Sequence, residues 1–276
     1  MTAVLLALGA SLAWGVADFV GPLKGRTLGT LRVLLWAQVA GLAAIAAVVA
    51  IRARPPHEAA ILLAVPAAIS GILGLWAYYR GMATGTMSVV APIAGASAIV
   101  PVLFGFATGD RPSPPQIAGI AAAVVGVVLA SREQEPGGRR IAAGVGLAML
   151  AAVGFGFYFP PMHVAGEADF WWASLLFRAT AAAVIAGIVV ARRPSLRLRP
   201  FDLLIVAAVG IGDTIGNVLF AASSGSGLVS LTAVLASLYP VVTVLLAATV
   251  LHESVARGQR VGIVLTLAGV VLIATG

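Results

Sequence analysis

Residues 110–129, DRPSPPQIAGIAAAVVGVVL, and residues 253–272, ESVARGQRVGIVLTLAGVVL, are two copies of one pattern. Asp110 aligns with Glu253, Gln116 with Gln259, Gly119 with Gly262 and Gly126 with Gly269, each pair 143 positions apart. Aliphatic matches carry little weight in a chain this rich in Ala, Val and Gly, so the argument rests on the Gln-Gly-Gly spacing. The two glycines of each copy are seven residues apart. Seven residues make two helical turns, so both glycines lie on one helix face. They allow a second helix to approach closely. The pattern predicts a packing helix at the end of each half. Upstream, Pro101 answers Pro240 at an offset of 139, and Gln38 shares its slot with Arg178 at an offset of 140. Self-similarity at a fixed period marks a duplicated architecture.

Around that repeat, 61% of the 276 residues are hydrophobic and 10% are charged, with a mean hydropathy of +1.06. Soluble domains are about 45–50% apolar and 25% charged, and one water-soluble core cannot hide this much apolar surface. The chain must use lipid as its solvent. Breaks at charges, prolines and Gly/Ser clusters delimit ten expected spans: 3–20, 30–51, 60–80, 86–107, 115–131, 141–160, 170–191, 202–222, 227–250 and 258–275. Ten spans of about 20 residues leave roughly 76 for all connections, too few for a soluble domain. The first stretch lacks a basic leader and a small-residue cleavage site, and is read as a span rather than a signal peptide. Pro160-Pro161 is expected to end the sixth span. Ser223 to Gly227 reads as a tight turn.

The fold class is therefore all-α integral membrane, ten helices in two five-helix repeats, 1–135 and 136–276. Five is odd, so the second half enters the membrane from the opposite face. Inverted repeats characterise secondary transporters, whose substrate site lies at the repeat interface near the bilayer midplane.

The acid followed by Q-x-x-G and G-V-x-L occurs twice, as Asp110/Gln116/Gly119/Gly126 and Glu253/Gln259/Gly262/Gly269. Together with Trp14-Gly15, Arg178, Pro101 and Pro240, it resembles the drug/metabolite transporter superfamily, specifically its ten-span EamA-type members. Asp110 stands where glutamate is usual, and Phe155-Gly156 where the second half would carry Trp-Gly. The resemblance implies efflux or exchange of small metabolites through a central cavity walled by spans one, three, four, six, eight and nine. It also implies both termini inside.

Ionisable groups inside lipid cost about 2.5–3.5 kcal/mol each on insertion scales and call for a reason. Arg178 and Asp213 interrupt apolar spans. Counting at 1.5 Å per residue puts them about 12 and 14 Å from the same membrane face, so they can pair. Two readings of Asp213 stay open: a cavity carboxylate that takes a proton or a cationic substrate, or a packing partner neutralised by Arg178. Asn217 lies one turn beyond Asp213 on the same face, with Gly212 and Gly216 thinning the surface beside it. Asp18 shares a face of span one with Trp14. In the related four-span multidrug exporters a first-helix carboxylate carries the proton, and a rough alignment puts it at Trp14, one turn away. The alternative for Asp18 is a hydrated residue near a helix end, ahead of Pro22 and Lys24.

Trp14, Trp76, Tyr79 and Tyr158 sit on the expected cavity helices, where ring faces can stack on a flat or cationic substrate. An interfacial belt equally explains Trp76, Tyr78, Tyr79 and Arg80, and also Trp171 and Trp172. Gln38 is expected to be structural. The candidate substrate or coupling residues are Asp213, Asn217, Trp14, Asp18, Tyr158 and Trp76. Freed carbonyls at Pro92, Pro101 and Pro240 can coordinate a substrate or be capped by neighbouring hydroxyls.

With no cysteine and scattered histidines at 57, 163 and 252, no metal site is expected. No phosphate loop or catalytic triad is present, His163 and Glu167 beside Pro160-Pro161 are not expected to share a helix face, and neither enzyme chemistry nor a cofactor is expected. A net charge of +7 comes from basic residues set singly or in pairs, without the aromatic interleaving of a nucleic-acid surface. Expected partners are a small-molecule substrate and the lipid bilayer, with proton coupling open, no nucleic acid, and a monomer or weak dimer. The expected location is the cytoplasmic (inner) membrane. Rival readings are a passive channel and a membrane enzyme or lipid-handling protein. Loops after odd-numbered spans hold thirteen basic residues, Lys24, Arg26, Arg32, Arg80, Arg132, Arg139, Arg140, Arg192, Arg193, Arg197, Arg199, Arg257 and Arg260, against Arg52, Arg54 and Arg111 opposite. That bias puts the odd-numbered loops in the cytoplasm and both termini outside, contrary to what the resemblance implies.

Overall fold

The computed structural model describes residues 1–56, 58–84, 94–130, 141–225, 227–250 and 257–275. His57, Pro92, Arg132, Arg139, Arg140, His252 and Glu253 lie outside the described residues, as does the start of the span expected over 86–107. Among the described residues there is no strand. Six helical stretches are long and apolar enough to cross a membrane: Thr2–Leu28, Thr30–Arg52, Ala59–Met82, Gly146–Arg192, Pro200–Ser223 and Val229–Val250. Ala96–Thr108, Pro114–Gly126 and Arg260–Ile273 are shorter apolar helices. Outward-facing Leu5 (64% exposed), Val190 (73%) and Val264 (67%) give the molecule an apolar exterior, as a lipid-facing surface requires.

Helix α1 (Thr2–Leu28) meets α2 (Thr30–Arg52) at Gly29 alone. Gly29 holds φ at 91°, a conformation that only glycine adopts without strain. The first span was expected to stop at residue 20, yet α1 continues through Pro22 to Leu28. Its final turns are held by polar bonds: Lys24 Nζ reaches Asp202 Oδ1 at 2.7 Å, and Arg26 donates to the Met82 carbonyl at 3.1 Å. Asp18 is therefore well inside a helix and buried, not at a hydrated end.

A 3-10 turn, Ala59–Leu63, leads into α3 (Ala64–Thr84), and a second, Ala96–Ala98, into α4 (Ile99–Thr108). Helix α5 is Pro114–Ala130. Its motif glutamine has a local role, since Ser113 N–H donates to Gln116 Oε1 at 2.9 Å and Gln116 N–H to Ser113 Oγ at 3.4 Å. That reciprocal pair is a capping box. The motif acid works across the chain: Asp110 Oδ2 accepts the Ser230 N–H at 2.8 Å, capping the helix that begins at Val229.

Helix α6 (Ile141–Arg192) has 52 residues. Straight, it would measure about 78 Å, more than twice a hydrocarbon core of about 30 Å. It breaks at Asp169, whose backbone is extended (φ −162°, ψ 105°). Asp169 Oδ1 accepts the N–H groups of Trp171 (2.9 Å) and Trp172 (3.1 Å), starting the second arm with a side-chain cap. The arms fold back, since the rings of Tyr158 and Phe177, on either side of the break, are 5.3 Å apart. Pro160-Pro161 does not end the helix as expected. In lipid no water competes for the freed carbonyls, and helices tolerate internal prolines when neighbouring groups answer them. The continued turn brings His163 Nε2 to 3.6 Å from Glu167 Oε1, the helix-face pairing that the sequence reading discounted.

Helices α7 (Pro200–Ser224), α8 (Val229–Ala236), α9 (Tyr239–Val250) and α10 (Arg257–Thr275) complete the described chain. Pro101 and Pro240 each fall in the first turn of a helix, α4 and α9, where the missing N–H costs little. Helices α5 and α10 pack through the motif glycines. A β-carbon added at Gly119 would lie 2.8 Å from the Gly269 carbonyl oxygen, and one at Gly126 would lie 2.8 Å from that of Gly262. Gly119 faces Gly269 while Gly126 faces Gly262, so the helices run antiparallel, backbone against backbone. The packing role expected of these glycines holds.

Replacing Gly119 by Leu would overpack this crossing and cost about 1–3 kcal/mol. The melting temperature of Gly119→Leu in detergent is expected to fall clearly. Gly187→Ala, at a helical position with open space around it, is expected to melt no lower than the parent.

Candidate functional site

Asp18 and Trp14 on α1, Gln38 on α2, Ile72 on α3, Tyr158 and Phe177 on the two arms of α6, Asp213 and Asn217 on α7, and Tyr239 on α9 border one cavity. Its volume is about 60 Å³. A water needs about 10–15 Å³ measured in this way, so the space holds a few waters. A metabolite requires the surrounding helices to part.

One fully buried cation organises the polar wall. Arg178 is wholly inaccessible on the second arm of α6. Its Nη2 lies 2.7 Å from Asp213 Oδ2, and its Nη1 donates to Gln38 Oε1 at 2.8 Å. The pair that equal depth made possible is formed: Asp213 borders the cavity and lies against Arg178. Gln38, expected to be structural, lines the cavity as well. Its equivalence to Arg178 at an offset of 140 was the available signal. A 2.8 Å bond joins this pair.

Asp18 is 6% exposed and borders the same cavity. Among the described residues no hydrogen bond or ion pair reaches it. The wall thus carries two carboxylates, and the one guanidinium behind it lies against Asp213. Tyr158 Oη donates to Asn217 Oδ1 at 3.0 Å, which fixes two further polar groups of the wall.

The apolar wall is aromatic. Trp14 meets Tyr158 edge-on at 5.8 Å, Tyr158 meets Phe177 at 5.3 Å, and Phe155 meets Tyr239 at 6.1 Å. Trp14 packs over Gly216, and Phe155 packs over Gly74. The next residues repeat the exchange: Gly15 lies against Val242 and Tyr239, and Gly156 against Val100 and Ser97. A side chain at any of these four glycines would collide with its neighbour.

Five of the six candidates, Asp213, Asn217, Trp14, Asp18 and Tyr158, come together here. Trp76 does not. It borders a separate groove, with the Arg80 guanidinium 5.6 Å from the centre of its ring. Tyr79 is buried against Gly21 rather than on the cavity wall. Trp171 and Trp172 sit at a helix end with Arg52 and Arg54: Arg52 lies over the Trp171 ring at 5.2 Å, and Trp172 Nε1 donates to the Arg54 carbonyl at 2.8 Å. The described lining adds α2 and the second arm of α6 to the walls the resemblance implied, and includes none of α4.

The model of the EamA-like transporter family matches residues 1–132 and again residues 142–275. The chain belongs to that family. As an EamA-like transporter it is a multi-pass membrane protein that carries small solutes. No curated protein matches it. Among solved structures 27 chains match. One, a crystal structure described only as that of a protein, is 20% identical and superposes with a TM-score of 0.80, over 99% of this chain and 96% of that one. At that identity the likeness concerns the fold alone.

Removing one partner of a buried ion pair costs about 3–5 kcal/mol, whereas replacing both by apolar groups is often neutral. Arg178→Met is expected to lower the unfolding midpoint strongly, and Arg178→Met with Asp213→Leu to recover most of the loss. Comparing the three melting curves checks this.

Proposed function

We propose that this EamA-like transporter is a secondary carrier that moves a small solute across the cytoplasmic membrane by alternating access through the cavity bordered by α1, α2, α3, α6, α7 and α9. In this reading the chain crosses ten times, counting the two arms of α6 separately and α8 with α9 as one interrupted span. It comprises two inverted halves, 1–135 and 136–276. The separate family matches on either side of 132–142 support the division. So do the antiparallel crossing of α5 on α10 and the exchanged contacts of Trp14-Gly15 and Phe155-Gly156.

The observation that carries the proposal is the charge imbalance at the cavity wall. Asp213 is answered by Arg178, and Asp18 by no described group. An unanswered carboxylate in a low-dielectric cavity takes up a proton or a cation. Asp18 is the coupling residue in this reading, exchanging a proton against the solute, and Asp213 holds Arg178 and Gln38 in position. Trp14 and Tyr158 offer ring faces to the solute, and Asn217 a polar handle. The direction is export or exchange. The cluster of Arg32, Arg80, Arg192, Arg197 and Arg199 at one end favours that end as cytoplasmic under the positive-inside rule.

Purified protein in liposomes, loaded with candidate amines and metabolites, is expected to show counterflow, the stimulation of uptake by solute on the far side. A channel shows none. Asp18→Asn is expected to abolish proton-driven transport while retaining the parent's melting temperature. Proton-driven uptake that survives in Asp18→Asn rules out the coupling role. A reporter fused after Gly276 reads the side of the C-terminus.

A further inference from the structure

Another hollow, of about 420 Å³, lies between the central cavity and the arginine-rich end. Thr27 from α1, Arg32 from α2, and Arg197, Arg199 and Asp202 beside the start of α7 border it. Arg197 and Arg199 are exposed, so this hollow opens to water. The last turns of α1 separate it from the cavity, closed against α3 and α7. Asp18 borders the cavity, and Gly21 comes one turn later. There Tyr79 of α3 is laid along α1. A β-carbon added at Gly21 would collide with the Tyr79 hydroxyl, and one at Gly25 would lie 3.8 Å from Tyr79 Cδ2. The ring therefore runs lengthwise down the helix with its hydroxyl toward Asp18, filling the space that the two glycines leave. Lys24 is six residues beyond Asp18, about 9 Å along the helix. Its Nζ meets Asp202 Oδ1 at 2.7 Å, and Asp202 itself borders the outer hollow. Arg26 joins the same turn to α3 through the Met82 carbonyl.

Two kinds of contact thus close one end of the cavity. The aromatic one fills space, and its fit to Gly21 and Gly25 depends on α1 staying where it is. The ionic one joins α1 to α7, both of which wall the cavity. Lys24 and Asp202 are each partly exposed, and a pair of that kind holds only weakly, because water replaces either partner at small cost. A contact meant to be permanent is better buried; one meant to open and reclose is better placed where water reaches it. Resting on the alternating-access reading above, we propose that this end of α1 is the gate between the cavity and the arginine-rich side, with Tyr79 its plug and Lys24–Asp202 its latch. When the latch separates, α1 parts from α7, Tyr79 loses its seat on Gly21, and the cavity joins the hollow beyond.

The chain has no cysteine, so one introduced thiol reports on this route. Ala181→Cys places it on the cavity wall. Ser195→Cys, exposed between α6 and α7, marks which face is the arginine-rich one. In sealed vesicles, a membrane-impermeant maleimide applied on that face is expected to label Ala181→Cys slowly. Adding Lys24→Gln is expected to speed labelling about fivefold, the shift that losing one partly exposed ion pair supplies. Tyr79→Ala is expected to speed it as well, and the charge exchange Lys24→Asp/Asp202→Lys to return the slow rate. Labelling from the opposite face is expected to rise in none of them. Rates unchanged by Lys24→Gln and Tyr79→Ala overturn the gate, as does an equal rise on both faces, which marks general loosening. Should Tyr79→Ala fail to fold, Lys24→Gln and the charge exchange decide. Counterflow by the parent protein reads the carrier separately. Counterflow with unchanged labelling removes the gate alone, and faster labelling on the arginine-rich face without counterflow removes the carrier and keeps the gate.

Discussion

A guanidinium with no access to solvent has to find its counter-charge inside the molecule, and Arg178 determines much of what surrounds it. It draws Asp213 from α7 and Gln38 from α2 into contact, so three helices are set in register by one side chain. The price of burying that charge alone would exceed the gain from packing any one of them. The same bond fixes which face of α7 meets the cavity, because Asn217 lies one turn beyond Asp213 and meets Tyr158 there.

Small residues set the spacing that makes this reach possible. Gly210 lies against the backbone of Ala37, and Gly41 against Thr214 and the Gly210 carbonyl, so α2 and α7 cross almost without side chains between them. Gly166 meets the backbone of Ala221 in the same manner. Lipid offers no hydrophobic drive for helix association, so close approach and dispersion must supply it. That gives many of the chain's glycines, among them Gly41, Gly119, Gly126, Gly166 and Gly210, a packing role.

Much of the helical layout could be read from the sequence because lipid enforces length and apolarity on every crossing. The packing role of the α5 and α10 glycines was legible for a related reason, since backbone contact admits no other residue; that the two helices meet each other was not. Depth alone made the Arg178–Asp213 pair possible, and the structure forms it. What escaped was decided by rotation rather than depth. Gln38 and Trp76 each sit at a plausible level, but which way a side chain turns depends on the neighbouring helix, and the apolar pattern runs around the whole circumference in lipid. Helix ends were misjudged where polar contacts lengthen a helix past its apolar run, as Lys24 does for α1. Prolines misled at 160–161, where a rule learned from water does not carry over to hydrocarbon.

Gly29 is the entire connection between α1 and α2. A joint of one residue has no slack: it can act as a pivot but not as a tether. Any displacement that carries the lower part of α1, with Lys24 and Arg26 attached, must drag the first turn of α2 and Arg32 with it. The two helices behave as a bracket, stiff along its arms and movable only in the angle between them. Torque on one arm therefore reaches the other arm without loss in an intervening loop.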